Sequence, residues 1–113
     1  MSTRSRIALK RDDNRYESIY CHFDGDDRPG GVGDVLRKHH TELAAVEALI
    51  ALGDLSYLSD DEANAYHRDQ GCHWCRCRPE SSKDYVSLLE AAKRSDADYL
   101  YLFSNGEWEV IRP

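Results

Sequence analysis

The chain has 113 residues, 41% of them hydrophobic and 32% charged, which suits a single soluble domain. Its formal charge of −6 argues against a general nucleic-acid-binding protein, because such proteins need a positive field to displace counterions from phosphates. No apolar run approaches the roughly 18 residues of a membrane span, and no signal-peptide apolar stretch follows the first residues. We therefore predict one domain over residues 1–113, cytoplasmic and with reduced cysteines.

A β-hairpin is predicted near the N-terminus. Residues 6–10 alternate apolar with polar or small side chains, as a half-buried strand does. Residues 16–23 form the second strand after a polar turn at residues 11–14, with Tyr20 and His22 on the same face. Residues 24–33 contain four glycines and a proline, so the strand cannot continue through them.

Three helices are predicted between this hairpin and the C-terminal region. They cover residues 32 to 39 or 40, residues 42–52 and residues 83–95, and the second has the clearest helical spacing of apolar residues. Residues 59–65 begin with capping-box spacing, which predicts one short helical turn. Residues 66–80 show no periodicity and are predicted to form a long loop.

A second hairpin is predicted at the C-terminus. Residues 98–103 form a near-continuous apolar and aromatic strand, and residues 108–111 form its partner. The Asn105-Gly106 pair between them is a strong short-range hairpin signal. The element order is thus β-β-α-α-α-β-β, which predicts an α+β fold with a four-stranded antiparallel sheet and helices packed on one face.

Two acidic clusters are candidate partner-binding surfaces. They consist of Asp24, Asp26 and Asp27 in the loop after the second strand, and of Asp60, Asp61 and Glu62 later in the chain. An acidic surface can dock on a basic protein surface that normally holds nucleic acid. The alternative is a solvated surface that keeps the protein soluble.

A glycine-rich turn is a candidate anion-binding site. Backbone N–H groups at a helix N-terminus attract phosphate, and Gly30, Gly31 and Gly33 lie at the start of the first predicted helix. Together with other side chains they could bind a nucleotide: Arg4, His22, Tyr66 and Arg68. The alternative is a plain turn that needs glycine for its backbone angles, and the turn lacks the lysine of a P-loop.

No cofactor is predicted, and two places are the candidates for a metal site. Cys72 and Cys75 form a Cys-x-x-Cys knuckle with Cys77 close by, which is half of a structural zinc site. The other ligands would come from Cys21, His22, His39, His40 or His67. Ordinary reduced thiols, with no cofactor, are the favoured interpretation of these cysteines. The other place is the loop with His22, Asp24, Asp26 and Asp27, which could hold a divalent cation that activates water in a nuclease.

Six aromatic residues could form one face of the sheet: Tyr16, Tyr20, Tyr99, Tyr101, Phe103 and Trp108. Such a face could stack on bases, pack beneath the helices or join two copies of the chain. A homodimer is therefore one prediction.

Several segments together resemble a group of known proteins. The segments are Ser2-Thr3-Arg4-Ser5-Arg6-Ile7, Ile19-Tyr20-Cys21-His22-Phe23-Asp24-Gly25, Gly31-Val32-Gly33 with Leu36, and Leu49-Ile50-Ala51-Leu52-Gly53-Asp54-Leu55-Ser56. The pattern is similar to that of a widespread family of small tailed-bacteriophage proteins, in which a tryptophan usually stands where this chain has Phe23. The resemblance implies a phage accessory protein that handles the host or its defences.

These features favour a non-enzymatic binding protein over an enzyme. The leading hypothesis is an inhibitor of a host process or defence complex, of anti-CRISPR type, acting in the host bacterial cytoplasm through its acidic surface. One alternative is a sponge that sequesters a nucleotide signalling molecule. The other is a divalent-metal-dependent nuclease.

Overall fold

A mixed β-sheet forms the centre of the protein in the computed structural model, which describes residues 3–11 and 13–113. Within these residues the strands are β1 (Ser5–Lys10), β2 (Tyr16–Cys21), β3 (Leu55–Leu58), β4 (Ala63–Ala65), β5 (Glu80–Ser82), β6 (Tyr99–Ser104) and β7 (Glu107–Ile111). The helices are α1 (Val32–His39), α2 (Leu43–Ala51), α3 (Tyr66–Gln70), α4 (Trp74–Cys77) and α5 (Tyr85–Arg94). Ser2 of the opening motif and Asp12 of the first predicted turn lie outside the described residues.

The sheet has the order β4-β3-β2-β1-β6-β7, and β5 pairs antiparallel with β2 beside this series. Both predicted hairpins are confirmed, since β1 pairs antiparallel with β2 and β6 with β7. Asn105 and Gly106 have φ values of 53° and 79°, as a type I′ turn requires. The prediction of four antiparallel strands is wrong, because β1 pairs parallel with β6 and β2 parallel with β3.

Helices cover both faces of the sheet. Ile7 and Leu9 of β1 belong to a core that includes side chains of α1 and α2. Ala8, between them, belongs to a second core with Leu88 and Ala92 of α5. The prediction of helices on one face is therefore wrong. The physical reason is visible in β6, whose near-continuous apolar run is typical of a strand buried on both sides.

Residues 54–82 contain more structure than we predicted. The short helical turn expected at residues 59–65 is instead the β3–β4 hairpin, and the Ser59 hydroxyl accepts a 3.2 Å hydrogen bond from the Glu62 amide. Serine side chains that bond nearby backbone groups favour turns as well as helix starts. The predicted long loop at residues 66–80 contains α3 and α4 and reaches β5.

No helix in residues 3–11 and 13–113 is both long enough and apolar enough to cross a bilayer.

Candidate functional site

The loop at residues 24–31, between β2 and α1, is held tightly by its own backbone. Its buried carbonyl, that of Gly25, accepts a 2.7 Å hydrogen bond from the hydroxyl of Tyr101 in β6. The Val32 amide donates to the Asp24 carbonyl oxygen at 2.8 Å, and the Gly25 amide donates to the Thr3 carbonyl oxygen at 2.9 Å. The loop is therefore an ordered part of the fold rather than a free segment.

The aspartates of this loop are largely neutralised by bases of the same chain. Asp26 lies 2.6 Å from the Nε atom of Arg28, and Asp27 forms a salt bridge with Arg37 of α1. Of the three acids predicted here as partner-binding residues, Asp24 is exposed and has no salt bridge within the described residues. The loop therefore presents less negative charge than its sequence suggests.

The predicted anion-binding glycines pack against these aspartates. A Cβ atom at Gly31 would overlap the Asp26 carbonyl oxygen, and one at Gly33 would overlap the Asp27 carboxylate. The Gly30 amide donates to the Asp34 carboxylate at 2.9 Å, and this hydrogen bond lowers the pKa of Asp34. The N–H groups that were expected to hold an anion thus already have acceptors, and glycine is needed here for close packing.

The second acidic cluster occupies the tip of the β3–β4 hairpin, which we call the acidic turn (residues 59–62). Asp60, Asp61 and Glu62 are all exposed there. The Asp60 carboxylate lies 3.1 Å from His39 Nε2, and the Glu62 carboxylate accepts a 2.5 Å hydrogen bond from the Tyr57 hydroxyl. Within the described residues no lysine or arginine forms a salt bridge with these three carboxylates.

A small cleft of about 220 Å³ separates the acidic turn from the end of α1. Besides the acids, it is lined by His39 and His40. Burial lowers the pKa of His40, whose Nδ1 atom is buried without a hydrogen-bond partner in the described structure. Burial thus disfavours the charged form of His40, and within the described residues no lysine or arginine forms a salt bridge with the acids that line the cleft.

A cluster of polar and aromatic side chains lies at the other end of β2 from its turn with β1. It contains three of the predicted ligand-binding residues, Arg4, His22 and Tyr66, together with Tyr20. The Tyr20 hydroxyl lies 2.7 Å from His22 Nδ1. Burial raises the pKa of Tyr20, Arg4 beside its hydroxyl opposes this effect, and Tyr66 is close enough to add to it. We call this group the Tyr20 cluster.

The remaining predicted ligand residues make other contacts. Arg68 donates to the neighbouring Asp69 carboxylate at 2.8 Å and to the Ala63 carbonyl oxygen, so its guanidinium is already engaged. The glycine turn packs against its own aspartates, as described above. Tyr20 was not predicted as a ligand residue, although its place two residues before His22 on one strand face was a signal for it.

The three clustered cysteines lie in and beside α4. Cys77 is buried, its thiol is 3.3 Å from the His73 carbonyl oxygen, and burial raises its pKa to about 11. His67 Nδ1 binds the Cys72 carbonyl oxygen at 2.7 Å, and Cys75 is exposed. Residues 3–11 and 13–113 contain no group of three His, Cys, Asp or Glu side chains placed to hold a metal ion. The geometry thus lends no support to zinc or to a nuclease metal.

Arg6 has a structural role that the sequence did not reveal. Its side chain is almost fully buried beneath α5, where it donates to the hydroxyls of Ser18 at 2.8 Å and Ser95 at 2.9 Å. Burial lowers the pKa of Arg6, and Glu80, 3.5 Å from the guanidinium, opposes this effect. Alternation placed Arg6 on a polar face of β1, but that face is covered by a helix.

The six aromatic residues do not share one face of the sheet. Tyr101 and Phe103 belong to the core under α1 and α2, with Tyr99 and Trp108 packed against it. Tyr16 belongs to the core under α5, on the side to which Tyr20 also points by alternation. The six residues thus form no single face, but packing beneath the helices is found for four of them, and the homodimer stays a prediction.

Another cleft lies at the opposite end of the sheet from the Tyr20 cluster. It has a volume of about 440 Å³ and is lined by the two hairpin turns and the start of α2. Arg11, one of its two basic residues, is bound by Glu17 and Glu47, each at 2.6 Å. No predicted site residue lies in it.

Comparison with known proteins found no matching protein-family model, no matching curated protein and no matching solved structure. The similarity to tailed-phage proteins thus stays a prediction.

Proposed function

We propose that this chain is a phage-encoded, non-enzymatic binding protein that inhibits a host process or defence complex in the bacterial cytoplasm. It would act as an anti-CRISPR-type inhibitor does, by covering a basic protein surface that normally binds nucleic acid. The formal charge of −6 and the resemblance to phage accessory proteins support this proposal.

The observation that carries the proposal is the acidic turn. Its three adjacent carboxylates are exposed, have no lysine or arginine partner within the described residues, and project from a hairpin closed by Ser59. By contrast, Asp26 and Asp27 are paired within the chain. We therefore place the centre of docking at residues 59–62, with Asp24 as the remaining candidate from the first cluster. Unpaired surface charges steer a partner of opposite charge and set the orientation of the complex.

The test is a charge reversal at the acidic turn. The triple variant Asp60→Lys, Asp61→Lys, Glu62→Lys should abolish recovery of a basic nucleic-acid-binding protein when tagged protein is expressed in a bacterial host and captured for quantitative mass spectrometry. The captured partner is then purified, and its binding to labelled nucleic acid is measured by fluorescence anisotropy. Wild-type protein should compete with the nucleic acid, less strongly as salt rises, and the variant should not compete.

A matched control changes the net charge equally at another place. Glu90, Glu107 and Glu109 are exposed acids of α5 and β7, and their reversal to lysine should leave capture and competition intact. Equal loss in both triple variants would mean that net charge alone is responsible. A captured partner that keeps its nucleic acid in the presence of excess wild-type protein would contradict the blocking mechanism.

The two alternatives would use other residues. A nucleotide sponge would use the Tyr20 cluster rather than the acidic turn, because Arg4 of that cluster forms no salt bridge within the described residues. A nuclease would need a metal near His22 and the aspartates of the 24–31 loop, and the described residues contain no such ligand group.

A further inference from the structure

The position of Arg4 follows from the register of the first hairpin. Ser5 pairs with Cys21 and Arg6 with Tyr20 in the antiparallel β1–β2 ladder. One step further, Arg4 stands opposite His22 and diagonal to Tyr20, on the same face of the sheet. Cross-strand neighbours of this kind are within reach of each other's side chains. Arg4 forms no salt bridge within residues 3–11 and 13–113, and its backbone amide binds the Asp98 carboxylate at 3.3 Å.

The proton positions in the cluster follow from the chemistry of arginine. A guanidinium can donate hydrogen bonds but cannot accept them. The Tyr20 hydroxyl and His22 Nδ1 are 2.7 Å apart, and a guanidinium beside that hydroxyl favours the arrangement in which the oxygen accepts from Arg4 and the proton goes to Nδ1. A neutral imidazole that accepts at Nδ1 carries its proton on Nε2. In this arrangement His22 presents an Nε2–H donor next to a guanidinium that forms no salt bridge within the described residues.

An aromatic surface adjoins these donors. The ring of Phe23 is 42% exposed, and its centroid lies 4.5 Å from that of His22 in an edge-to-face arrangement. The half-buried carboxylate of Asp54 accepts a 2.9 Å hydrogen bond from the Tyr20 amide, and burial raises its pKa. The cluster thus combines a cation, a directed N–H donor and an exposed ring.

We propose that the Tyr20 cluster binds a small phosphorylated ligand of the nucleoside monophosphate class. Arg4 and His22 Nε2–H donate to the phosphate oxygens, and the base packs against Phe23. A guanidinium matches the geometry of a phosphate group, and charge-assisted hydrogen bonds are the strong ones. This site lies apart from the acidic turn, so it does not depend on the proposed function.

The experiment is isothermal titration calorimetry with two probes, adenosine monophosphate and inorganic phosphate. Wild-type protein should bind adenosine monophosphate saturably. Arg4→Gln and His22→Gln should each weaken this binding at least about tenfold, because each removes a donor to the phosphate. Phe23→Ala should weaken binding of adenosine monophosphate while leaving that of inorganic phosphate unchanged.

Lys10→Gln is the matched control. It removes the same charge from the far end of β1, about 20 Å from Arg4 at the rise of a strand. Binding should be unchanged in it. Tyr20→Phe keeps the ring but removes the hydroxyl that links Arg4 to His22 by hydrogen bonds. It therefore tests the cluster even if Arg4→Gln folds poorly.

Three results would overturn the proposal. The first is the absence of saturable binding of either probe to wild-type protein at concentrations up to about 10 mM. The second is equal weakening of binding by Lys10→Gln and Arg4→Gln, which would show non-specific attraction of anions. The third is an affinity that neither His22→Gln nor Tyr20→Phe changes, which would assign the ligand to another place.

Discussion

Tyr101→Phe tests whether the 24–31 loop is held by the Tyr101 hydroxyl. The substitution keeps the buried ring and removes the 2.7 Å hydrogen bond to the Gly25 carbonyl oxygen. Leaving a buried acceptor without its donor costs about 1–3 kcal/mol. With an m-value of about 2 kcal/mol/M, the midpoint of urea unfolding should fall by about 0.5–1.5 M, with m unchanged.

Tyr99→Phe is the control for this prediction. Tyr99 is in the same strand and stacks on Tyr101, with ring centroids 6.0 Å apart, but its hydroxyl makes no hydrogen bond within the described residues. Removal of the Tyr99 hydroxyl should change the free energy of unfolding by less than about 0.5 kcal/mol. Equal effects of the two substitutions would refute the argument that the hydrogen bond anchors the loop.

The dependence of stability on pH gives a second readout of the same group. Burial raises the pKa of Tyr101 above the usual value near 10. The unfolded chain therefore loses this proton first. The stabilisation contributed by the protonated Tyr101 hydroxyl is fully present below about pH 10. It is lost as the pH rises from there through the pKa of Tyr101 in the folded state. The difference in free energy of unfolding between wild type and Tyr101→Phe should shrink in that range. A constant difference from pH 8 to about pH 11 would contradict a buried, neutral Tyr101.

Two further predictions concern the packing around α4. Gly53→Ala should lower the free energy of unfolding by about 2 kcal/mol or more, because φ is +80° and the new Cβ would overlap the Cys77 carbonyl oxygen. Gly71→Ala, at φ +74° but with open space around the new Cβ, should lower it by about 1 kcal/mol. Urea unfolding measures both. Equal losses would mean that backbone strain alone matters. In alkylation followed by peptide mass spectrometry near neutral pH, exposed Cys75 should react first, since burial raises the pKa of Cys77 to about 11 and that of Cys21 to about 12. Labelling of Cys77 as fast as Cys75 would contradict its burial.

The parts of the fold that sequence reasoning predicted correctly depend on local signals. Alternation and the Asn105-Gly106 pair are sufficient for the two hairpins, because the paired strands are adjacent in the chain. The central helices α2 and α5 follow from the 3.6-residue spacing of their apolar side chains. The short strands β3, β4 and β5 were missed, because three or four residues are too few for a period to be recognised.

The candidate sites show the same limit. The acidic residues were visible in the sequence, but their pairing was not. Arg37 of α1 forms a salt bridge with Asp27, whereas no lysine or arginine of the described residues does so with the acidic turn. The cysteine spacing suggested a metal, yet the backbone of α4 directs Cys77 inward and leaves Cys75 exposed. The position of Arg4 opposite His22 follows from the register of the hairpin, which alternation alone does not specify.

The sequence by itself determined the two hairpins, the main helices and the acidic character of the surface, since each arises from neighbouring residues or from composition. The tertiary structure decided that β6 pairs parallel with β1 and that helices cover both faces of the sheet. It also decided which charges remain unpaired. These outcomes depend on residues far apart in the chain, whose contacts form when burying both apolar faces outweighs the entropy lost in closing the long connections.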